Sequence, residues 1–95
     1  MKIRLSDGDI RLRLNELEVA TFLEGRSITT SVADGLTLTL IPNEGTAPAL
    51  ENDGSTYIVK VPASEAISPS MFNPRMYESP PDVTPHMLVE MDRQR

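Results

Sequence analysis

The stretch MKIRLSDGDIRLRLNELEVATFLEG (residues 1–25) decides the fold of this chain. It opens with two runs in which aliphatic and cationic side chains alternate, separated by the turn sequence SDGD (6–9). Because successive side chains on a strand point to opposite faces, this spacing predicts a β-hairpin with one aliphatic face and one cationic face. The cationic face carries Lys2, Arg4, Arg11 and Arg13.

A helix is predicted directly after the hairpin, where the spacing of apolar residues changes from two to about 3.6. Asn15 is a favourable N-cap, and Glu18 follows in the position that completes a capping box. Gly25 suits the left-handed end of a helix, so we predict a helix over 16–24. We expect its buried stripe to consist of Leu17, Ala20 and either Leu23 or Glu24.

Further segments alternate in the same way, and two Asp-Gly turns separate some of them. Pro48 would confine its segment to a sheet edge, and ASEAI (63–67) could form one or two helical turns. We therefore predict an α+β fold, with a mainly antiparallel sheet of about six or seven hairpin-connected strands, one capped helix and room for a short second helix. The later predicted strands are SITTSV (27–32), LTLTLI (36–41), TAPAL (46–50), STYIVKV (55–61) and the C-terminal HMLVEMD (86–92).

The segment 68–85 holds five of the eight prolines. Because Pro lacks a backbone donor and fixes φ, we expect a long loop that neither a strand nor a helix enters. One interpretation is that the loop crosses the domain surface and buries some of its apolar side chains. The other is a mobile loop whose apolar residues dock a partner, such as a second copy of the chain. These apolar side chains are Met71, Phe72, Met76 and Tyr77.

Length and composition limit the class of protein. The 95 residues make a single domain, 1–95, whose core must be mainly aliphatic because there is no Trp and there are only two Phe and two Tyr. The absence of Cys excludes disulfides and fits a cytoplasmic location. The net charge of −5 argues against nucleic-acid binding. No apolar run is long enough to span a membrane, and the charged start does not predict a secretory signal.

Two groups of polar side chains could carry chemistry. The cationic hairpin face could be solvated beside acids of the same fold, for which Glu90 and Asp92 are the candidates, could bind an anion or phosphate, or could form a protein interface. On the last strand, His86 and Glu90 stand about 13 Å apart, too far to share one metal ion. Glu90 and Asp92 are therefore the metal candidates, although their spacing equally suits two rungs of a salt-bridge ladder. We predict no catalytic residue and no cofactor, because no nucleophile elbow, phosphate loop or zinc-protease motif occurs.

Three segments carry a resemblance: residues 1–25, DGSTYIVKVP (53–62) and MLVEMD (87–92). Together they resemble a family of small bacterial proteins of unknown function. Chains of that family open with MKIR-like and IRLRL-like strands and an acidic helix start, contain a central strand ending in VP, and close on an ILVEKD-like strand. The Pro-rich segment 68–85 departs from the family, which has a helix with an aromatic residue there. The resemblance implies a shared fold, and it implies neither an activity nor a catalytic residue.

We expect a non-enzymatic binding domain that contacts another protein or itself as a homodimer, without a membrane partner. The edge at 46–51 and the Met-containing loop are the expected contact surfaces. The alternative is a polyanion- or phosphate-binding protein, or a metal-dependent phosphohydrolase, in which Glu90 and Asp92 hold a metal against phosphates. This alternative faintly resembles the triphosphate tunnel enzymes. The chain lacks their ExExK strand at its N-terminus, however, and is too short to close a tunnel.

Overall fold

The computed structural model describes residues 1–43 and 47–92. Within these ranges the chain forms eight strands, one α-helix and a single 3-10 turn at Ala63–Glu65. The strands and the helix are β1 (Lys2–Ser6), β2 (Asp9–Leu14), α1 (Glu16–Leu23), β3 (Ile28–Ala33), β4 (Leu36–Asn43), β5 (Ala49–Asp53), β6 (Thr56–Pro62), β7 (Arg75–Glu78) and β8 (His86–Met91).

Both sheets have the same construction, in which two hairpins lie side by side and their second strands pair in parallel. The first sheet has the order β1-β2-β8-β7 and the second has the order β3-β4-β6-β5. The four outer pairs are antiparallel, whereas β2–β8 and β4–β6 are parallel. The prediction of an α+β fold rich in hairpins is confirmed. The prediction of a mainly antiparallel sheet with six or seven strands is wrong, because the chain forms eight strands in two mixed sheets.

Side chains from both sheets and from α1 form one buried cluster. The aliphatic face of the first hairpin contributes to it, and the central strands supply the most deeply buried residues, as their alternation predicts. The cluster consists of Ile10, Leu12, Leu14, Val19, Phe22, Ile28, Leu38, Leu40, Val59, Val61, Met76, Tyr77, Met87 and Val89.

Helix α1 begins as the sequence predicts. The Asn15 side chain accepts from the backbone N–H of Glu18, and the Glu18 side chain accepts from the backbone N–H of Asn15. Gly25 has a φ of +84°, the left-handed conformation that favours Gly after a helix. The predicted buried stripe is wrong, since Val19 and Phe22 are buried whereas the Leu17 side chain is 78% exposed. A helix of eight residues presents few side chains to the core, and here the large aromatic ring takes that place.

The Pro-rich segment 68–85 contains a strand, so the prediction that no strand enters it is wrong. The four residues of β7 lie between Pro74 and Pro80, and β7 forms an edge of the first sheet. The strand can form there because these four residues all have backbone donors. Burial of Met76 and Tyr77 confirms the interpretation in which the segment packs on the domain.

Smaller differences concern the ends of elements. The predicted second helix is reduced to the 3-10 turn, and the C-terminal strand ends at Met91 rather than at residue 92. The predicted strand 46–50 is β5, which begins at Ala49 and extends to Asp53, while residue 46 lies outside the described residues. In the two described ranges, no helix has the length and apolar character that crossing a bilayer would need.

Candidate functional site

The four predicted cations lie together on the outer face of the first sheet. The hairpin register places Lys2 opposite Arg13 and Arg4 opposite Arg11. Like charges in directly opposite positions destabilise a strand pair unless other groups compensate. The parallel pairing of β2 with β8 brings Glu90 beside Arg13, so the structure supplies an acid at this position.

Two acids of the C-terminal segment meet three of these cations. Arg13 donates from Nε to Glu90 Oε1 at 3.0 Å, and Arg11 Nε lies at the same distance from that oxygen. The second contact is an ion pair without a hydrogen bond. Arg11 Nε is therefore buried without a hydrogen-bond acceptor among the described residues. Lys2 Nζ lies 2.9 Å from Asp92 Oδ2. The interpretation in which acids of the fold meet the cationic face therefore agrees with the contacts.

The pKa of Asp92 is lowered from its usual value, chiefly because Lys2 donates a hydrogen bond to the carboxylate. The positive charges of Lys2, Arg13 and the N-terminal ammonium group act in the same direction and outweigh partial burial, which opposes them. The N-terminal ammonium group itself pairs with Glu18 at 2.7 Å. This corner of the sheet is thus a network of ion pairs that includes the helix start.

The predicted metal candidates, Glu90 and Asp92, are both engaged by these cations, so a metal ion would have to displace arginine or lysine contacts. Across residues 1–43 and 47–92, no group of three or more His, Asp or Glu side chains has an arrangement that could hold a metal ion. Metal binding by these two residues stays a prediction.

Arg4 differs from the other three cations because it is exposed and has no ion pair within the described part of the chain. It borders a shallow depression of about 300 Å³ on the outer face of the first sheet. Anion binding by the hairpin face therefore stays a prediction in which Arg4 is the most available group. The depression is lined by Arg4, Ser6, Asp9, Ile10, Arg11, His86 and Leu88.

The single His lies between two carboxylates that the sequence analysis did not connect with it. His86 Nδ1 is 3.1 Å from Asp9 Oδ1, and His86 Nε2 is 2.9 Å from Glu78 Oε2. A neutral imidazole has one N–H, so both contacts are donated hydrogen bonds only when the ring is protonated. These contacts join β2, β8 and β7 across the outer face. Only the parallel pairing of β2 with β8 brings Asp9 and His86 together.

An apolar cleft of about 370 Å³ opens between the two sheets where β2, β4, β6 and β8 begin, and we call this end of the molecule the turn end. Several of its side chains are apolar yet substantially exposed, among them Leu5 at 60%, Val32 at 41% and Leu50 at 40%. Sequence reasoning missed this cleft, because its walls come from six strands, one turn and one loop. The cleft is lined by Leu5, Ser6, Gly8, Asp9, Ile10, Val32, Leu36, Leu38, Leu50, Tyr57 and Pro85.

A second exposed apolar feature lies in the segment between the 3-10 turn and β7. The backbone N–H of Ser70 donates to the carbonyl of Asn73 at 2.9 Å, and the reciprocal bond is 3.2 Å. This closed turn presents Met71 and Phe72, whose side chains are 80% and 92% exposed. It lies at the opposite end from the cleft, because it precedes β7, and Arg75 of that strand pairs with Glu90 near the end of β8.

Comparisons with known proteins assign no family: no family model, no curated protein and no solved structure matches this chain. The resemblance of residues 1–25, 53–62 and 87–92 to a bacterial family of unknown function stays a prediction.

Proposed function

We propose that this protein is a non-enzymatic binding domain whose site is the apolar cleft at the turn end. The single observation that carries the proposal is the set of half-exposed apolar side chains that face one opening between the sheets. Exposed apolar surface gathered in one concave place is typical of a binding site, whereas scattered exposed residues are not. A cytoplasmic location, predicted from the lack of Cys, belongs to the same proposal.

The size of the cleft indicates what it could hold. Its volume of about 370 Å³ lies near the lower limit of ligand sites, which is about 300 Å³. One aromatic ring or one large aliphatic side chain fits this space better than an extended cofactor does. Burial of such a group would contribute roughly 25 cal/mol per Å² of apolar surface removed from water. The proposed activity is therefore the capture of a single apolar anchor.

Methyl resonances offer a direct test, because the cleft walls contain leucine and valine. We expect titration with indole, a neutral aromatic probe, to shift the ¹³C-methyl signals of the cleft. Buried methyl groups at the opposite end, such as those of Leu14, should stay unchanged. Indole-induced shifts confined to the reporter residues Leu5, Val32, Leu36, Leu38 and Leu50 would support the proposal.

A matched pair of variants controls this experiment. Leu50→Ser removes an apolar wall of the cleft, whereas Leu17→Ser removes an exposed leucine on α1, away from the cleft. We expect the first change to weaken indole binding and the second to leave it intact. The proposal would be contradicted if several millimolar indole shifted no cleft methyl signal of a protein whose spectrum shows that it is folded.

Self-association remains a second candidate function, as the sequence predicts. The observation that favours it is the exposed pair Met71 and Phe72 on a turn closed by reciprocal backbone hydrogen bonds. Because the turn is already ordered, its backbone loses little further conformational entropy when a partner covers these side chains. A homodimer contact would then use this turn rather than the cleft.

Polyanion binding by the hairpin face, the predicted alternative, receives less support. Glu90 and Asp92 already face three of the four cations, which leaves Arg4 as the cation without an ion pair in the described ranges. A phosphohydrolase would need these acids for a metal ion instead. Among the described residues, in contrast, no group fills the cleft, and the cleft therefore supports the binding-domain proposal better.

A further inference from the structure

Exposed aspartates gather at the turn end, because the hairpin turns of both sheets lie there. The β1–β2 turn carries Asp7, β2 begins at Asp9, the β3–β4 turn carries Asp34, and β5 ends at Asp53. All four side chains are exposed, and Asp9 lines the cleft itself. Asp9 contacts His86, whereas Asp7, Asp34 and Asp53 have no ion pair within residues 1–43 and 47–92. The end of the molecule that holds the apolar opening thus carries three exposed carboxylates without an ion pair in the described ranges, against one such cation, Arg4, which borders the adjoining depression.

This combination favours one kind of occupant. An apolar group that carries or adjoins positive charge gains from both the cleft and its rim, whereas an anionic group meets like charge. We infer that the cleft binds an extended, positively charged segment of another protein, in which an apolar side chain is flanked by Lys or Arg. The inference rests on the proposed function and names the partner of that site.

The separation of the rim acids argues for an extended chain rather than a single small amine. In the order β3-β4-β6-β5, the β3–β4 and β5–β6 turns are about two strand spacings apart, which is roughly 10 Å. The β1–β2 turn belongs to the other sheet, and packed sheets also lie roughly 10 Å apart. One ammonium group cannot approach carboxylates this far apart, whereas cations three residues apart on an extended chain span about 10 Å.

A second copy of the chain offers this chemistry in β1, where Ile3 lies between Lys2 and Arg4, but that strand is already engaged: Ile3 packs against the core and Lys2 pairs with Asp92. The most exposed apolar side chains of the copy, Met71 and Phe72, are flanked by the neutral residues Ser70 and Asn73. The nearest cation that follows, Arg75, already pairs with Glu78 at 2.7 Å. Charge complementarity therefore favours a different protein as the occupant.

The test uses synthetic peptides with a constant apolar centre and the full-length protein. The probe Ac-GKFLRG-NH2 places two cations three residues apart around Phe-Leu. Ac-GEFLEG-NH2 reverses the charge, and Ac-GKSSRG-NH2 removes the apolar anchor. We expect the first peptide to shift the cleft methyl signals with the highest affinity, and each control peptide to bind at least about fivefold more weakly. Added salt should weaken the first peptide and strengthen the acidic one.

Two double variants distinguish the effect of the rim charge from the effect of the total charge of the protein. Asp34→Asn with Asp53→Asn neutralises two rim acids and keeps a residue that suits turns. Glu24→Gln with Glu65→Gln changes the charge equally at the opposite end, where α1 and the 3-10 turn end. We expect the rim variant to bind Ac-GKFLRG-NH2 about threefold to tenfold more weakly, and the control variant to bind as the parent does.

Equal affinity for the basic and acidic peptides, or equal losses in the two variants, would overturn the inference. If indole still shifts the cleft methyl signals in that case, the proposed function stands and only the identity of the partner is wrong. If neither indole nor any peptide shifts the cleft methyl signals, the proposed function and the identity of the partner are both wrong. Should the rim variant not fold, the salt dependence of peptide binding to the unaltered protein decides the same question.

Discussion

Arg13 of β2 donates a hydrogen bond to Glu90 of β8 at 3.0 Å, although 77 residues separate them. The Glu90 side chain is 13% exposed and also lies 3.0 Å from Arg11 Nε. One carboxylate therefore compensates two arginines on neighbouring positions of the same strand face. This relationship turns a hairpin face that would repel itself into a stable outer surface.

Loss of the Glu90 charge should destabilise the fold. For Glu90→Gln we expect the free energy of unfolding to fall by about 1 to 2 kcal/mol, because two partly buried guanidinium groups lose their counter-ion while solvent still screens them. Urea denaturation measures this change. The matched control is Glu51→Gln, which breaks an exposed pair with Lys60 and should cost less than about 0.5 kcal/mol. Equal stability of the two variants would contradict this account of Glu90.

The lowered pKa of Asp92 makes one contribution to stability depend on pH. Because the carboxyl is more acidic when folded than when unfolded, its contribution is present above the usual pKa of 3.8 and is lost as the pH falls through the lowered folded pKa. Lys2→Met removes the hydrogen-bond donor, so the pKa of Asp92 should rise toward 3.8. Carboxyl ¹³C titration by NMR measures it. If the pKa of Asp92 were unchanged in Lys2→Met, the hydrogen bond from Lys2 would not be the cause of the lowered pKa.

Tyr77 has a buried hydroxyl for which the described residues provide no hydrogen-bond partner. Tyr77→Phe should therefore leave stability unchanged or raise it by up to about 1 kcal/mol. Burial raises the pKa of Tyr77 above 10.0, with the charge of Glu65 adding to the effect. The protonated hydroxyl of Tyr77 therefore contributes fully to the free energy of unfolding below pH 10.0. That contribution is lost as the pH rises from 10.0 through the folded pKa, because the hydroxyl ionises more easily in the unfolded chain.

Alkaline denaturation checks the second part of this prediction. The parent should lose more stability above pH 10 than Tyr77→Phe does, whereas Tyr57→Phe, which alters a 39% exposed ring, should behave as the parent. A loss of more than about 1 kcal/mol for Tyr77→Phe at neutral pH would show that the hydroxyl is bonded after all.

The exposed turn at Met71 and Phe72 makes self-association measurable. If it forms a homodimer contact, sedimentation velocity should show a concentration-dependent dimer that Phe72→Ser abolishes. Leu17→Ser is the control, since Leu17 is similarly exposed on α1. A monomer at every concentration tested would remove the homodimer from the proposed functions.

The hairpin face should bind polyphosphate weakly, because acids of the fold already face three of its cations. We expect tripolyphosphate, with or without Mg²⁺ or Mn²⁺, to raise the Tm by less than about 2 °C, which corresponds to well under 1 kcal/mol for a domain of this size. Arg4→Gln is the informative variant. A larger shift that this variant abolishes would favour the polyanion-binding alternative.

Local patterns were enough to predict the first three hairpins and the helix start, whereas the β7–β8 hairpin was not predicted. Alternation predicted the faces of β2, β4 and β8, and the capping box at Asn15 and Glu18 forms as expected. These features depend on neighbours within a few residues. The face that α1 buries was predicted wrongly because Leu17 and Phe22 compete for the core, and only the packing against the sheets decides that competition.

The sequence by itself determined where most of the strands lie, β7 excepted, where the helix begins and that the cations of the first hairpin face outward. Tertiary structure alone decided that β2 pairs with β8 and β4 with β6, both in parallel, and thereby brought Glu90 to the arginines and opened the cleft. The physical reason is range: turns and caps are satisfied by adjacent residues, whereas parallel pairing joins segments far apart in the chain that no local pattern connects.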